Sequence, residues 1–186
     1  MRRFFSPQEL EVNKSAVISG SDAMHISKVL RLKTGDMVTV FDGRGHAFEC
    51  RIRAVSPEKV DVDVKKDRSF NRESHVHITF AQAMLKAKKM DTLVRQATEL
   101  GISCWAPFFS DRSVPTPDSK RMAVRLERWH KISREALKQC GRDVFMEVLP
   151  PMPMEEVLKQ GQACDRKIIF WECASAPAEI SVAMPP

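Results

Sequence analysis

No two cysteines in this 186-residue chain have the CxxC spacing of a metal knuckle. The five present, Cys50, Cys104, Cys140, Cys164 and Cys173, are scattered and odd in number. A zinc site and a disulfide framework are therefore excluded as organising features, and reduced thiols are expected. No apolar run approaches the ~20 residues that a helix needs to cross a bilayer. The start, MRRFFSPQEL, carries charge but lacks the apolar stretch of a signal peptide. A soluble, cytoplasmic protein is expected. Glycine is scarce as well. Gly20, Gly35, Gly43, Gly45, Gly101, Gly141 and Gly161 include no phosphate-cradling loop, and Gly43 with Gly45 makes only a GxG in a hairpin context. Internal repeats and low-complexity segments are also missing.

The residues present are 43% hydrophobic and 29% charged, enough for one large core or two small ones. The net charge is +6, and the excess is localised. Basic residues outnumber acidic ones 13 to 10 over residues 1–70 and 14 to 9 over 71–150, then fall behind, 3 to 5, over 151–186. The middle third is the place for a polyanion.

Residues 1–70 predict a small β-rich domain with one short helix. Asp22 is placed to cap a helix that carries Ile26, Val29 and Leu30 on one side. A strand over 37–41 is followed by the turn Asp42-Gly43-Arg44-Gly45, where glycine supplies positive φ. Phe48, Cys50, Ile52 and Ala54 alternate with polar residues, and so do Val60, Val62 and Val64. Antiparallel strands with one wet face follow, and a small barrel is the economical closure. The polar run 65–74 reads as a linker. The expected division is therefore 1–70 and 75–186.

Beyond the linker the period changes. A strand over 75–83, a helix opened by Asp91 with Leu93, Val94, Ala97 and Leu100 on one face, and a strand over 102–109 form a βαβ unit, hence a parallel sheet. A long helix is expected over 119–140. At ~100° per residue, Met122, Leu126, Trp129, Ser133, Ala136 and Cys140 share its apolar side. Arg121, Arg125, Arg128, Glu135, Gln139 and Arg142 share the other. Guanidinium offers a planar fork to phosphate oxygens, so this stripe is a candidate RNA contact. Further strands are expected over 144–149 and 167–171, with a short helix over 155–160 between them.

The strings KMDTLVRQATELG (89–101), SDRSV (110–114) and RWHKISREALKQCGR (128–142), with MRRFF and HISKVLRLKTGDMVTVFDGRGH (25–46), closely resemble the RsmE family. The resemblance runs along nearly the whole chain. It implies a PUA-like RNA-binding barrel followed by an α/β domain of the SPOUT, trefoil-knot type, working as a homodimer. It also implies S-adenosylmethionine-dependent methylation of N3 of a uridine in 16S ribosomal RNA of the small subunit. The family's GPEGGF loop and LRTETA segment, which hold the methyl donor, do not occur in these residues. The cofactor-binding residues are therefore expected beyond Pro186, in a longer protein. A non-catalytic RNA-binding module is the alternative.

Methylating a uracil nitrogen requires loss of its proton, stabilisation of charge on the ring oxygens and a linear approach of the methyl group. Cationic and amide donors are needed near the base, with phosphate binders to pin the strand. Arg112 and Ser113 follow the second strand of the βαβ unit, where ligands of open α/β sheets sit. Arg112, Glu135 and Arg142 are the candidate catalytic residues, with Glu135 orienting an arginine. A Glu–Arg strut between helix and loop is the structural alternative. Lys86, Lys88 and Lys89 are expected in the loop entering the first helix of this half, where helix N-termini attract anions. With Ser113, Arg121, Arg125, Arg128 and Gln139 they are candidate RNA contacts. The resemblance adds Arg2, Arg3, Arg31 and Arg44 of the barrel. His25 and His130 are expected to be structural, and Trp129 and Cys140 to lie in the core. No metal ligand set is expected.

Overall fold

The computed structural model describes residues 2–69, 73–111 and 119–170. The first sheet uses β1 (Arg3–Phe5), β2 (Ser15–Ser19), β3 (Met37–Phe41), β4 (Ala47–Val55) and β5 (Lys59–Asp67), in the order β1-β3-β4-β5-β2. All its pairings are antiparallel except β1 with β3. The alternation of Val60, Val62 and Val64 is realised, since all three are fully buried against Ile18, Val38, Val40 and Ile52. The expected barrel is a curled sheet whose edges meet through side chains. Ser6 Oγ donates to the Val17 carbonyl (3.1 Å), and Val17 N donates to Gln8 Oε1 (3.0 Å).

The short helix differs from expectation. α1 (Ser21–Met24) runs into a π turn over His25–Val29, in which Leu30 N donates to the His25 carbonyl at 2.9 Å. The widened turn buries Ile26 but rotates Val29 to 65% exposure. Asp22 does not cap. Gly20 holds that position, with φ 66°, and Asp22 sits buried in the first turn. Its Oδ2 accepts from Phe5 N (3.1 Å).

The second sheet is parallel: β6 (Thr79–Ala83) pairs with β7 (Cys104–Phe109), and β7 pairs with both β8 (Glu147–Val148) and β9 (Met152–Pro153). Pro150 and Pro151 separate β8 from β9, as expected of residues that cannot donate to a ladder. Both are shorter than the strand expected over 144–149. Residues 167–170 form no strand, and Ile168, Ile169 and Phe170 are exposed; residue 171 lies outside the described residues.

Between β6 and β7 runs α2 (Ala87–Glu99). It starts four residues before Asp91, because Lys88, Lys89 and Met90 are good helix formers. Met90, Val94 and Ala97 are buried, whereas Leu100, expected on that face, is 81% exposed. The helix ends in a Schellman motif. Gly101 takes φ 88°, its N–H donates to the Thr98 carbonyl, and Ile102 N donates to the Ala97 carbonyl (3.0 Å).

α3 (Ser119–Cys140) spans the expected residues and packs on α2. Trp129, Ser133 and Ala136 are buried, with Met122 and Leu126 packed beside them. Ser133 Oγ accepts from Thr98 Oγ1 (3.0 Å), a buried hydroxyl pair between the two helices. Cys140 is exposed rather than core. Leu137 points elsewhere, into a separate cluster with Phe41, Ala47, Phe5 and Phe145. The end of α3 is therefore where the two sheets' domains join. α4 (Met154–Gln160) follows β9.

That joint is built from backbone as well as side chains. Gly45 N donates to the Asp143 carbonyl (3.0 Å) and Phe145 N to the Gly43 carbonyl (2.9 Å). Arg134 lies over the Phe5 and Phe145 rings, with its guanidinium carbon 4.9 and 5.9 Å from their centroids.

Candidate nucleic-acid interface

The joint leaves a cleft of about 880 Å³ between the barrel and the two long helices. One wall is β1 and α1 with the π turn. The other is the side of α3 that carries Arg128, Lys131, Glu135 and Gln139, together with Arg95 of α2. These α3 residues fall at i, i+3, i+7 and i+11, so they share one face.

Electrostatics in the cleft are dominated by cations, several of them committed. Lys138 Nζ reaches across the joint to Asp22 Oδ1 (2.6 Å) and also to Glu135 Oε1 (2.8 Å). One lysine thus ties together both acids lining the cleft and offsets one of their two negative charges. Arg3 pairs with Asp143 and donates to the Arg142 carbonyl (3.1 Å). Its guanidinium also lies 5.1 Å from the Phe41 ring centroid. Arg128 pairs with Asp91 Oδ2 (2.7 Å), and this hydrogen-bonded partner raises its pKa above the ordinary arginine value.

The structure therefore brings together Arg2, Arg3, Arg128, Glu135 and Gln139 of the sequence candidates. It does not bring the others to this cleft. Arg31 is exposed at φ 51° just after the π turn, and Arg44 sits in the hairpin that bridges to Val144. Lys86 is the cap residue of α2, and Lys88 and Lys89 lie in its first turn rather than in a loop. There they border a smaller hollow of about 380 Å³ with Leu85, Thr92 and Leu93. Arg121 and Arg125 occupy the opposite end of α3, away from the cleft lining. Arg112 and Ser113 lie outside the described residues.

Arg142 is not oriented by Glu135. Its Nε donates to Glu73 Oε2 (3.0 Å) and its Nη1 to the Thr98 carbonyl (2.6 Å), with only 13% of its side chain exposed. It is a strut that ties the segment before β6 to the end of α2. Arg95 and Lys131 line the cleft although the sequence pattern names neither as a contact. The missed signal is an offset along α3: the cleft face is centred nearer Lys131 than the stripe through Arg121 and Arg125. His25, expected to be structural, also lines the cleft and is exposed at the start of the π turn.

Neither Cys50 nor Cys104 belongs to this chemistry. Burial pushes their thiols up to about 12 and about 11. No cluster of metal-ligating side chains occurs among the described residues. None of the described helices is long and apolar enough to cross a membrane.

Residues 72–184 match the RNA methyltransferase domain, and residues 18–65 match the RNA methyltransferase PUA domain. The chain belongs to the RNA methyltransferase family. It is 30% identical over 184 residues to the ribosomal RNA small subunit methyltransferase E of Bacillus subtilis, covering 97% of this chain and 72% of that one. The protein of the same name from Buchnera aphidicola subsp. Acyrthosiphon pisum is 27% identical over 168 residues, covering 90% of this chain and 66% of that one. The crystal structure of the Neisseria gonorrhoeae ribosomal RNA small subunit methyltransferase E, bound to S-adenosylmethionine, superposes with a TM-score of 0.80 at 29% identity. That match covers 86% of this chain and 66% of the other. The chain thus spans roughly two-thirds to three-quarters of the length of these relatives. A PUA-like domain joined to a SPOUT-type methyltransferase domain is the architecture they share with it.

S-adenosylmethionine carries a sulfonium and an ammonium against one carboxylate, a net positive charge. The two hollows described above have a cationic excess in their linings, Lys88 and Lys89 in one and the arginines and Lys131 in the other. Neither lining fits that ligand. The larger cleft fits a polyanion.

Proposed function

We propose that this RNA methyltransferase-family chain serves the methylation of small-subunit ribosomal RNA, with S-adenosylmethionine as donor and N3 of a uridine in 16S rRNA as acceptor. The chain acts in the cytoplasm as part of a homodimer, with its domains dividing near residues 70–75. The observation that carries this reading is the cationic cleft built from both halves of the chain. One half matches a PUA domain and the other a methyltransferase domain, so RNA held between them lies against both.

The chain's own residues bind and orient. Arg2 offers a guanidinium group to the strand, Gln139 offers an amide to a base, and Arg128 stays on Asp91 in the cleft wall. Glu135 is held at the rim by Lys138, which it shares with Asp22. Arg142 acts as a positioning residue: it fixes the ends of α2 and α3, and with them the distance between the cleft walls. Lys86, Lys88, Lys89, Arg121 and Arg125 are proposed as contacts for RNA that continues past the cleft, along the helix starts of the second sheet. Arg112 is proposed as a catalytic residue and Ser113 as an RNA contact. The barrel's Arg31 takes RNA leaving on the other side.

The test uses the protein expressed from its whole reading frame, small ribosomal subunits lacking the modification, and methyl-labelled S-adenosylmethionine. Nucleoside digestion and mass spectrometry are expected to show 3-methyluridine in 16S rRNA. RNA binding with no methylated nucleoside would replace this reading with that of a non-catalytic RNA-binding module.

A further inference from the structure

We infer that the interdomain cleft divides its labour: Arg2, Lys131 and Arg95 grip phosphates from opposite walls, while the His25 ring and the Gln139 amide read a base. The inference rests on the RNA reading above and assigns roles within it.

The division follows from which cations remain uncommitted. Arg3, Lys138 and Arg128 are spent on Asp143, Asp22 with Glu135, and Asp91. Arg95 has only Glu99, 3.9 Å away and 39% exposed. Arg2 and Lys131 are exposed, and their side chains have no partner among the described residues. Lys138 offsets one of the two acids of the lining, so the three cations face one remaining negative charge and still give the cleft a positive balance. Arg2 stands on the barrel wall and the other two on the helical wall. A strand lying between them meets positive charge on both sides.

Phosphate contacts hold a strand in register but carry no sequence information, so any preference needs a base contact. Two rings line the cleft, Phe4 and His25. Phe4 is only 3% exposed, which leaves His25 as the accessible face for stacking. It is presented at the first position of the π turn, a backbone irregularity frequent at functional sites. Gln139 supplies a neighbouring donor and acceptor on one amide. That pair complements a uracil carbonyl and its adjacent imide N–H.

The test is fluorescence anisotropy of the protein with labelled single-stranded oligo-U and oligo-A, titrated across salt concentrations. Lys131→Ala and Arg95→Ala are each expected to reduce the slope of log K against log salt by about 0.7, equally for both oligomers. His25→Ala and Gln139→Ala are expected to leave the slope unchanged. His25→Ala should weaken binding about fivefold or more, as for loss of a stacking ring, and His25→Phe should recover most of it. Gln139→Ala should shrink the preference for oligo-U. All four side chains are exposed, so thermal unfolding should be unchanged. If the wild-type protein binds RNA but the slope survives the triple change at Arg2, Arg95 and Lys131, or His25→Ala has no effect, this division is wrong while the RNA reading stands. If the wild-type protein binds no RNA, both fall.

Discussion

Replacing Arg142 by alanine should destabilise the protein before it affects anything else. Arg142 bridges Glu73, 69 residues earlier in sequence, and the carbonyl of Thr98. Its side chain is 13% exposed and that of Glu73 is 25% exposed, so water can only partly replace the lost partner. Removing one member of a fully buried ion pair costs about 3–5 kcal/mol; partial solvation of Glu73 reduces the expectation to about 2–3 kcal/mol. The Thr98 carbonyl keeps a second donor, Gly101 N at 3.3 Å, which limits the cost at that end. For a chain of this size the loss corresponds to a fall in melting temperature of about 4–12 °C. Arg142→Lys keeps the charge but loses the fork, and should fall between alanine and wild type. The assay is thermal unfolding by circular dichroism beside RNA affinity at a temperature where all variants are folded. An unchanged melting temperature with abolished RNA binding would refute the strut and return Arg142 to direct contact with substrate.

Lys138→Met should also destabilise, by about 2–3 kcal/mol, because it strands the buried Asp22 carboxylate. Adding Asp22→Asn should restore most of that, since an amide oxygen can still accept from Phe5 N, and a double-mutant cycle on melting temperatures measures the coupling. Gly43→Ala should loosen the joint: the position has φ 77°, and a β-carbon there would run into the Phe145 ring. A loss of about 1–3 kcal/mol in denaturant unfolding is expected. Thiol alkylation of the native protein at pH 8 should modify Cys140 and Cys164 and spare Cys50 and Cys104, as read by peptide mass. The raised thiol pKa of Cys50 has a signed consequence. The fold retains a proton that the unfolded chain loses, so its contribution is complete below about pH 9 and declines as pH rises toward about 12.

Much of this architecture could be read locally. The valines at 60, 62 and 64 announce a half-buried strand by period alone, and α3 is bounded where its apolar repeat begins and ends. The βαβ unit follows from two strands with a helical period between them. Long-range ties were not legible. Glu73 and Arg142, or Asp22 and Lys138 across 116 residues, are brought together only by the docking of two domains. Helix faces were placed to within a fraction of a turn, which was enough for Trp129 but not for Cys140 or for choosing Lys131 over Arg121. The π turn inserts one residue into a helical step, so it moved Val29 outward where a regular helix would have buried it. Over 167–170 the apolar run reads as a strand, yet a strand requires a partner, and none pairs with it among the described residues.

The most direct measurement is ultraviolet cross-linking of the protein to uridine-rich RNA, with the adducts located by peptide mass spectrometry. Adducts should concentrate in residues 21–31 and 128–139, the two walls of the cleft. Adducts confined to the outer face of the first sheet, around Arg51 and Arg53, would contradict the account.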